Sequence, residues 1–270
     1  MLNDLLKVDR NLRISYKTAS QDPEYCNNLV EIVDQHLSSY AKFYNLNVGE
    51  IQSHNNNFIS QYLEHIKIFS LTSKYPYELT NSSNIVCNDH ISYDLSLMIS
   101  VVATLHRNKV MCNLSKYLPT ISGKILVIGI GVGLELKLLK TFCKNVDIFA
   151  YDIKVSDFIA KEFSSYNIVN SEFTGGDNDC YDYIIAVELL EHLSSPYSLI
   201  QILYDSLKTS GKLITTTATN VPQYDHLYNF VNDDFENNIN FACIQKEEIL
   251  HDYQAFNISA KNDFYILEKV

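Results

Sequence analysis

Cysteine pairs, basic runs and long apolar segments are missing from this chain of 270 residues, and each absence removes a class of function. The six cysteines (Cys26, Cys87, Cys112, Cys143, Cys180 and Cys243) form no C-x-x-C pair and no zinc spacing, so free thiols in a reducing cytosol are the expectation. No apolar run approaches the roughly 18 residues that read as a membrane span. The opening segment MLNDLLKVDRNLR lacks the apolar core of a signal peptide, and the expected location is cytoplasmic. Basic residues are outnumbered, 21 against 32 acidic, for a net charge of −11. Without a basic stripe, a nucleic acid gripped through its phosphates is disfavoured. A small molecule, free or presented by a carrier protein, is the better-matched partner, and no membrane partner is expected. No internal repeat is apparent.

What is present is a hydrophobic content of 46%, enough for a substantial core, and a glycine cluster in an otherwise glycine-poor chain. The stretch Ile125 to Leu139 reads ILVIGIGVGLELKLL. Ile125-Leu126-Val127-Ile128 has the character of a fully buried parallel strand. It runs into Gly129-Ile130-Gly131-Val132-Gly133 and then into a helix carrying Leu134, Leu136, Leu138 and Leu139. Strand, glycine turn and helix together form the ligand-binding corner of a doubly wound α/β sheet. The spacing narrows the ligand. Leu134 stands where a dinucleotide fingerprint has its third glycine, and no Gly-Lys-Ser/Thr follows for a P-loop.

Three downstream phrases join this one. Val146 to Asp152 (VDIFAYD) is a second apolar strand ending in an acid, Tyr181 to Leu193 (YDYIIAVELLEHL) a strand running into a short helix, and LKTSGKLI at 207–214 a turn into a further strand. In this order the four resemble the motifs of the class I S-adenosylmethionine-dependent methyltransferases. The resemblance implies a Rossmann-like α/β domain with a seven-stranded, mostly parallel sheet over about 119–270, closed by an antiparallel hairpin. It implies S-adenosylmethionine lying over Gly129, Ile130, Gly131 and Gly133. Asp152 would hold the ribose hydroxyls, Tyr151 or Ile153 would flank the adenine, and Glu188 would lie near the methionine end. One departure stands out: the acid that the family carries two residues before the first glycine is here Val127. Glu135, in the first turn of the following helix, is a possible substitute, although an acid there is also ordinary helix-dipole chemistry.

Residues 1–118 precede the sheet and read as a helical substrate-binding region. Helices are expected over 22–45, 48–71 and 91–117, the last closed by Pro119, with turn-rich linkers at 74–77 and 81–84. Added N-terminal helices in methyltransferases of this type often form the acceptor pocket, which makes Tyr75, Tyr77, Tyr93, His106 and Arg107 candidates for its lining. The segment from Tyr93 to Met111 resembles one found in bacterial natural-product methyltransferases. After the fourth motif a packing helix runs through Leu199–Leu207, followed by a strand over Lys212–Thr217 and a loop from Ala218 to Phe230. A helix over Gln245–Tyr253 and strands over Phe256–Ala260 and Phe264–Lys269 complete the expected sheet.

Glu188, Glu191 and His192 fall at the carboxyl end of the fourth motif's strand, where open α/β sheets place their ligands. On a helix, their spacings put all three on one face. Two carboxylates and an imidazole can chelate a divalent ion. With His226 added, the set looks like the metal site of small-RNA 3′-end methyltransferases, and Glu-x-x-Glu-His is also similar to the motif of ubiquinone-pathway O-methyltransferases. Alternatively, His192 or His226 serves as general base. A structural role, with the glutamates capping the turn and His192 packing beside the cofactor, stays open. The leading expectation is methyl transfer to an oxygen or nitrogen of a small molecule, in specialised metabolism. The alternatives are metal-dependent RNA 2′-O-methylation and a non-catalytic methyltransferase-fold module that binds a protein.

Overall fold

The computed structural model describes residues 1–79, 89–176, 178–231, 235–251 and 253–270. The linker expected at 81–84 and Cys87 lie outside the described residues. The chain divides into two compact units: Met1–Lys116 with Pro222–Tyr224, and Tyr117–Val221 with Asp225–Val270. No helix among the described residues is long and apolar enough to cross a membrane.

The first unit is helical, with α1 (Leu2–Val8), α2 (Arg10–Ala19), α3 (Asn28–Tyr44), α4 (Val48–Thr72), α5 (Pro76–Leu79), α6 (His90–Ala103) and α7 (Leu105–Tyr117). Polar caps set the boundaries. Asp9 accepts the Leu12 N–H at 2.9 Å to start α2. Asn47 and Glu50 form a reciprocal capping box on α4, after Asn45 has ended α3 in the left-handed conformation. The apolar faces meet in a core that includes Leu29, Val33, Leu37, Ile51, Leu95 and Met98. The helix expected over 22–45 begins only at Asn28, and the one expected over 91–117 is two helices. They part at Thr104, which turns extended while its hydroxyl bonds the Ser100 carbonyl at 2.8 Å. The buried Asn108 amide then takes the Val101 carbonyl at 3.1 Å and accepts the Cys26 N–H at 2.7 Å. The Asn108 side chain thus donates to the carbonyl that the interrupted helix leaves behind and ties the turn before α3 to it.

The second unit contains β1 (Gly123–Ile128), α8 (Leu134–Phe142), β2 (Val146–Asp152), α9 (Asp157–Glu162), β3 (Asn167–Asn170), β4 (Tyr181–Ala186), α10 (Pro196–Ser206), β5 (Leu207–Thr219), β6 (Phe241–Leu250) and β7 (Lys261–Lys269). The seven strands lie in the order β3-β2-β1-β4-β5-β7-β6. The first five pair in parallel, and β7 runs antiparallel between β5 and β6. Strand order therefore reverses at β1, and β1 is followed by the glycine turn, the place where open α/β sheets bind ligands.

Two expectations fail at the closing edge. The helix expected over Gln245–Tyr253 is strand β6, and 256–260 is not a strand but leads into β7. On β6 only Phe241 and Ile249 are buried, and the register shifts between Cys243 and Gln245. A charged edge strand with a bulge shows no clean two-residue alternation, so its pattern reads as a helix.

Asp182 ties the amino ends of three strands together. Its carboxylate accepts the Lys124 N–H at 2.8 Å and the Lys208 ammonium at 2.8 Å. Burial alone would raise this carboxyl, but those donors hold it below the ordinary carboxylate range. Because the folded value is depressed, its stabilising contribution is present above the unfolded value and is lost as pH falls through the folded one. Replacing Asp182 with alanine should cost about 1–2 kcal/mol in urea unfolding at neutral pH, a deficit that shrinks in acid as the parent protonates.

Candidate active site

The glycine turn is built from three positive backbone angles: φ +74° at Gly129, +49° at Gly131 and +79° at Gly133. Side chains disfavour this region, but the three glycines also differ in their surroundings. A Cβ on Gly133 would lie 2.6 Å from Ile159 Cδ1 and 2.8 Å from Phe163 Cε2, so this glycine lets α8 close against α9. A Cβ on Gly129 would lie 2.9 Å from Leu189 Cδ1. At Gly131 an added Cβ would meet no atom within 4 Å. That glycine keeps an open space open.

Asp152, at the end of β2, faces the same turn. One carboxylate oxygen accepts the Gly131 N–H at 2.9 Å and the other the Lys154 N–H at 2.8 Å. These bonds use two of roughly four lone-pair directions, so the carboxylate can still accept hydroxyl donors. Next to it Ile153 is 80% exposed, an apolar side chain presented to solvent at the strand tip. Ile130 and Glu135 are buried, Glu135 within the first turn of α8. Val127 is buried in the middle of the sheet, in register with Ala150 and Ile185.

The phrase after β4 does not form the helix its spacing suggests. Glu188 has φ +52°, and only Leu190–His192 make a 3-10 turn. Glu188, Glu191 and His192 consequently do not share a helix face. The Glu188 carboxylate accepts the Asn262 amide at 2.7 Å and the Thr216 hydroxyl at 3.1 Å. Glu191 and His192 group instead with His226, their ligand atoms all within 4.8 Å of one another. The Glu191 carbonyl accepts N–H groups from Leu227 at 2.7 Å and Tyr228 at 3.0 Å, which seats the loop after β5 against this turn. The two imidazoles stand edge to face at 4.7 Å.

Their protonation differs. Burial by itself lowers the His192 pKa, yet the bond to Asp225 and the charges of Asp225 and Glu191 raise it to about 9. Its Nδ1 lies 3.3 Å from the Asp225 carboxylate and 3.2 Å from the Asp225 carbonyl. His226 is lowered to about 4, first by burial and then by the His192 charge. It is neutral at physiological pH, and its Nδ1 sits 2.7 Å from the Val221 carbonyl. That partner can only accept, so Nδ1 carries the hydrogen and Nε2 the lone pair. Two imidazoles fixed through Nδ1, beside a carboxylate, are a donor set chemically suited to a divalent ion.

Sequence reasoning missed Asp225, Thr216, His251 and Asn262, which act from β5, β7 and two loops on residues far away in sequence. Of the acceptor-pocket candidates, Tyr75 is buried in the helical unit against Phe69 at 5.3 Å. Tyr93 meets Phe58 at 5.7 Å and Tyr224 at 6.2 Å within that same unit.

Residues 105–259, more than half of the chain, match the family described as a methyltransferase domain. The chain belongs to that family, the S-adenosylmethionine-dependent methyltransferases of class I fold. Over 105 residues it is 31% identical to the mitochondrial ubiquinone biosynthesis O-methyltransferase of Rattus norvegicus. That match covers 35% of this chain and 30% of that relative's length. Among solved structures, the cyclase SpnF is similar with a TM-score of 0.51 and 12% identity, over 62% of this chain and 84% of its own. The N-methyltransferase NodS from Bradyrhizobium japonicum, in complex with S-adenosyl-L-homocysteine, gives 0.49 and 12%, over 63% and 90%. The cyclase likeness concerns the fold alone, and a fold hosts more than one chemistry.

Proposed function

We propose that this protein moves the methyl group of S-adenosylmethionine onto an oxygen or nitrogen of a small molecule. The observation that carries the reading is the Gly131–Asp152 pair, an open space over a backbone N–H that is held by the acid at the tip of β2. It is a cradle for the nucleoside half of the cofactor, with Asp152 on the ribose hydroxyls, Gly129, Ile130 and Gly133 shaping the turn, and Ile153 beside the base. The cofactor supplies an activated methyl group, and the chain's task is to align an acceptor and handle its proton. His192 holds its proton near neutrality and does not serve as a base there, whereas His226 is neutral with its lone pair on Nε2, a weak base that suits an acceptor whose proton is already acidic or polarised.

A divalent ion fits the same corner through Glu191, His192 and His226, where it would polarise an acceptor hydroxyl. Glu188 stands apart from that set, bonded to Asn262 and Thr216. The net charge of −11 supports a small acceptor over RNA. The site residues, acceptor class and cytoplasmic location all belong to this proposal.

Calorimetric titration with S-adenosylmethionine, followed by an acceptor screen read through S-adenosylhomocysteine release, tests it. The expected result is micromolar binding and turnover with small phenols or amines. Turnover with RNA alone would overturn the acceptor assignment. Binding without turnover of any acceptor would favour the non-catalytic module, and no binding would remove the cofactor reading.

A further inference from the structure

Glu188 pays for its position in backbone strain. A non-glycine residue at φ +52° lies in a sparsely populated region and persists there only where its surroundings dictate the conformation. Here they do. The Glu188 N–H donates to the Thr216 hydroxyl at 2.7 Å, and that hydroxyl donates back to the Glu188 carboxylate at 3.1 Å. The Asn262 amide donates to the same oxygen at 2.7 Å. On its other side the Asn262 carbonyl oxygen is bonded to His251 Nε2, which fixes the amide orientation and makes Nε2 the donor. His251 is itself anchored where the β6–β7 hairpin opens, its N–H on the Ala260 carbonyl at 2.9 Å.

Thr216 is fully buried, Asn262 is 1% exposed and His251 is 8% exposed. Two buried polar side chains from the antiparallel end of the sheet, Thr216 and Asn262, therefore converge on one carboxylate, and the third, His251, holds Asn262. Glu188 follows β4 at the switch point of the sheet: its neighbour Leu189 reaches to 2.9 Å from where a Gly129 Cβ would be, while the carboxylate itself turns towards β5 and β7. Its charge also acts on His226. At the middle of the sheet, the acid that the resembling family carries before its first glycine is Val127.

We propose that Asn262, oriented by His251 and joined by Thr216, is a positioning residue that fixes the Glu188 carboxylate at the carboxyl end of β4, next to β5, in the ligand crevice of the sheet. There Glu188 answers the cationic methionine end of the cofactor in place of the acid missing at position 127. The proposal rests on the cofactor reading above and names how this chain meets a charge its β1 strand does not. A sulfonium and an ammonium are drawn to a carboxylate whose remaining freedom has already been removed.

The test is S-adenosylmethionine affinity, by calorimetry, for the parent, Glu188→Ala, Asn262→Ala, their double variant, Thr216→Val, His251→Ala and His251→Gln, with cofactor-free melting alongside. Glu188→Ala and Asn262→Ala should each weaken binding about tenfold, and the double variant should stay near tenfold, not a hundredfold. His251→Gln, which keeps an N–H donor, should restore the affinity lost in His251→Ala. Weakened binding in Glu188→Ala with parental affinity in Asn262→Ala and Thr216→Val would overturn the positioning role and leave the cofactor reading intact. A fully additive double variant would also overturn it, because a lesion of the fold alone adds. Should the Asn262 variants fail to fold, Thr216→Val and the His251 pair decide by the same criteria. Absence of binding by the parent would sink the cofactor reading itself.

Discussion

Arginine at Gly131 should abolish S-adenosylmethionine binding while the protein still folds. The backbone there is left-handed, so any side chain adds about 1–2 kcal/mol of strain, which for a protein this size lowers melting by roughly 2–8 °C. The space around the missing Cβ is empty, so the arginine itself meets no packed neighbour. Instead it fills the volume the nucleoside would occupy, and affinity should fall by at least about 100-fold, about 2.7 kcal/mol. Alanine at Gly133 reverses the balance. Its methyl group would press on Ile159 and Phe163 at 2.6 and 2.8 Å, where overpacking adds about 1–3 kcal/mol to the backbone strain. Thermal melting and calorimetry on the two variants should therefore separate. If Gly131→Arg binds the cofactor like the parent, the cradle has been placed wrongly.

The second large effect concerns protons. Ligation needs neutral imidazoles, and His192 holds its proton up to about pH 9 through Asp225. A divalent ion at Glu191, His192 and His226 must displace that proton, so affinity should rise about tenfold per pH unit from neutrality towards His192's pKa. Manganese titrations across that range check this, and His226→Ala should remove the binding. A pH-independent titration would place the ion elsewhere. Stability responds in the opposite sense. His192 has a raised folded pKa, so its contribution is full below its unfolded value of 6.5 and is lost as pH rises through about 9. His226 has a lowered one, so its burial opposes folding as pH falls from 6.5 towards 4. In the metal-free protein, Asp225→Asn should lower the melting temperature near neutrality and should cease to matter at pH values where the parent His192 is already neutral.

Part of the sheet was legible because the carboxyl halves of β1 and β4 are buried on both faces and read as unbroken apolar runs. Val146–Asp152 falls on β2 end to end. The glycine turn was legible for a different reason, since positive φ restricts the residue type locally. Glu191, His192 and His226 were legible as chemistry, but Glu188 was assigned to their helix face because sequence spacing assumes a regular helix. The break came from Thr216, a contact with β5 that local pattern does not contain. Asn262 and His251 gave no signal: a buried Asn on an apolar strand looks like an interruption until its partner is known. The edge strand β6 was lost because solvent-facing charges dilute the alternation on which strand reading depends.

The grouping of Pro222–Tyr224 with the helical unit has a consequence for how the protein is made. Its helices are synthesised first, yet the unit remains incomplete until the chain has passed β5, the fifth of the seven strands. Folding as the chain leaves the ribosome therefore cannot finish one unit before beginning the other. A fragment ending at Lys116 would lack the Tyr224 ring that meets Tyr93 and His65. Cutting the gene after Lys116 would leave the helical piece without three of its own residues and the sheet piece carrying them.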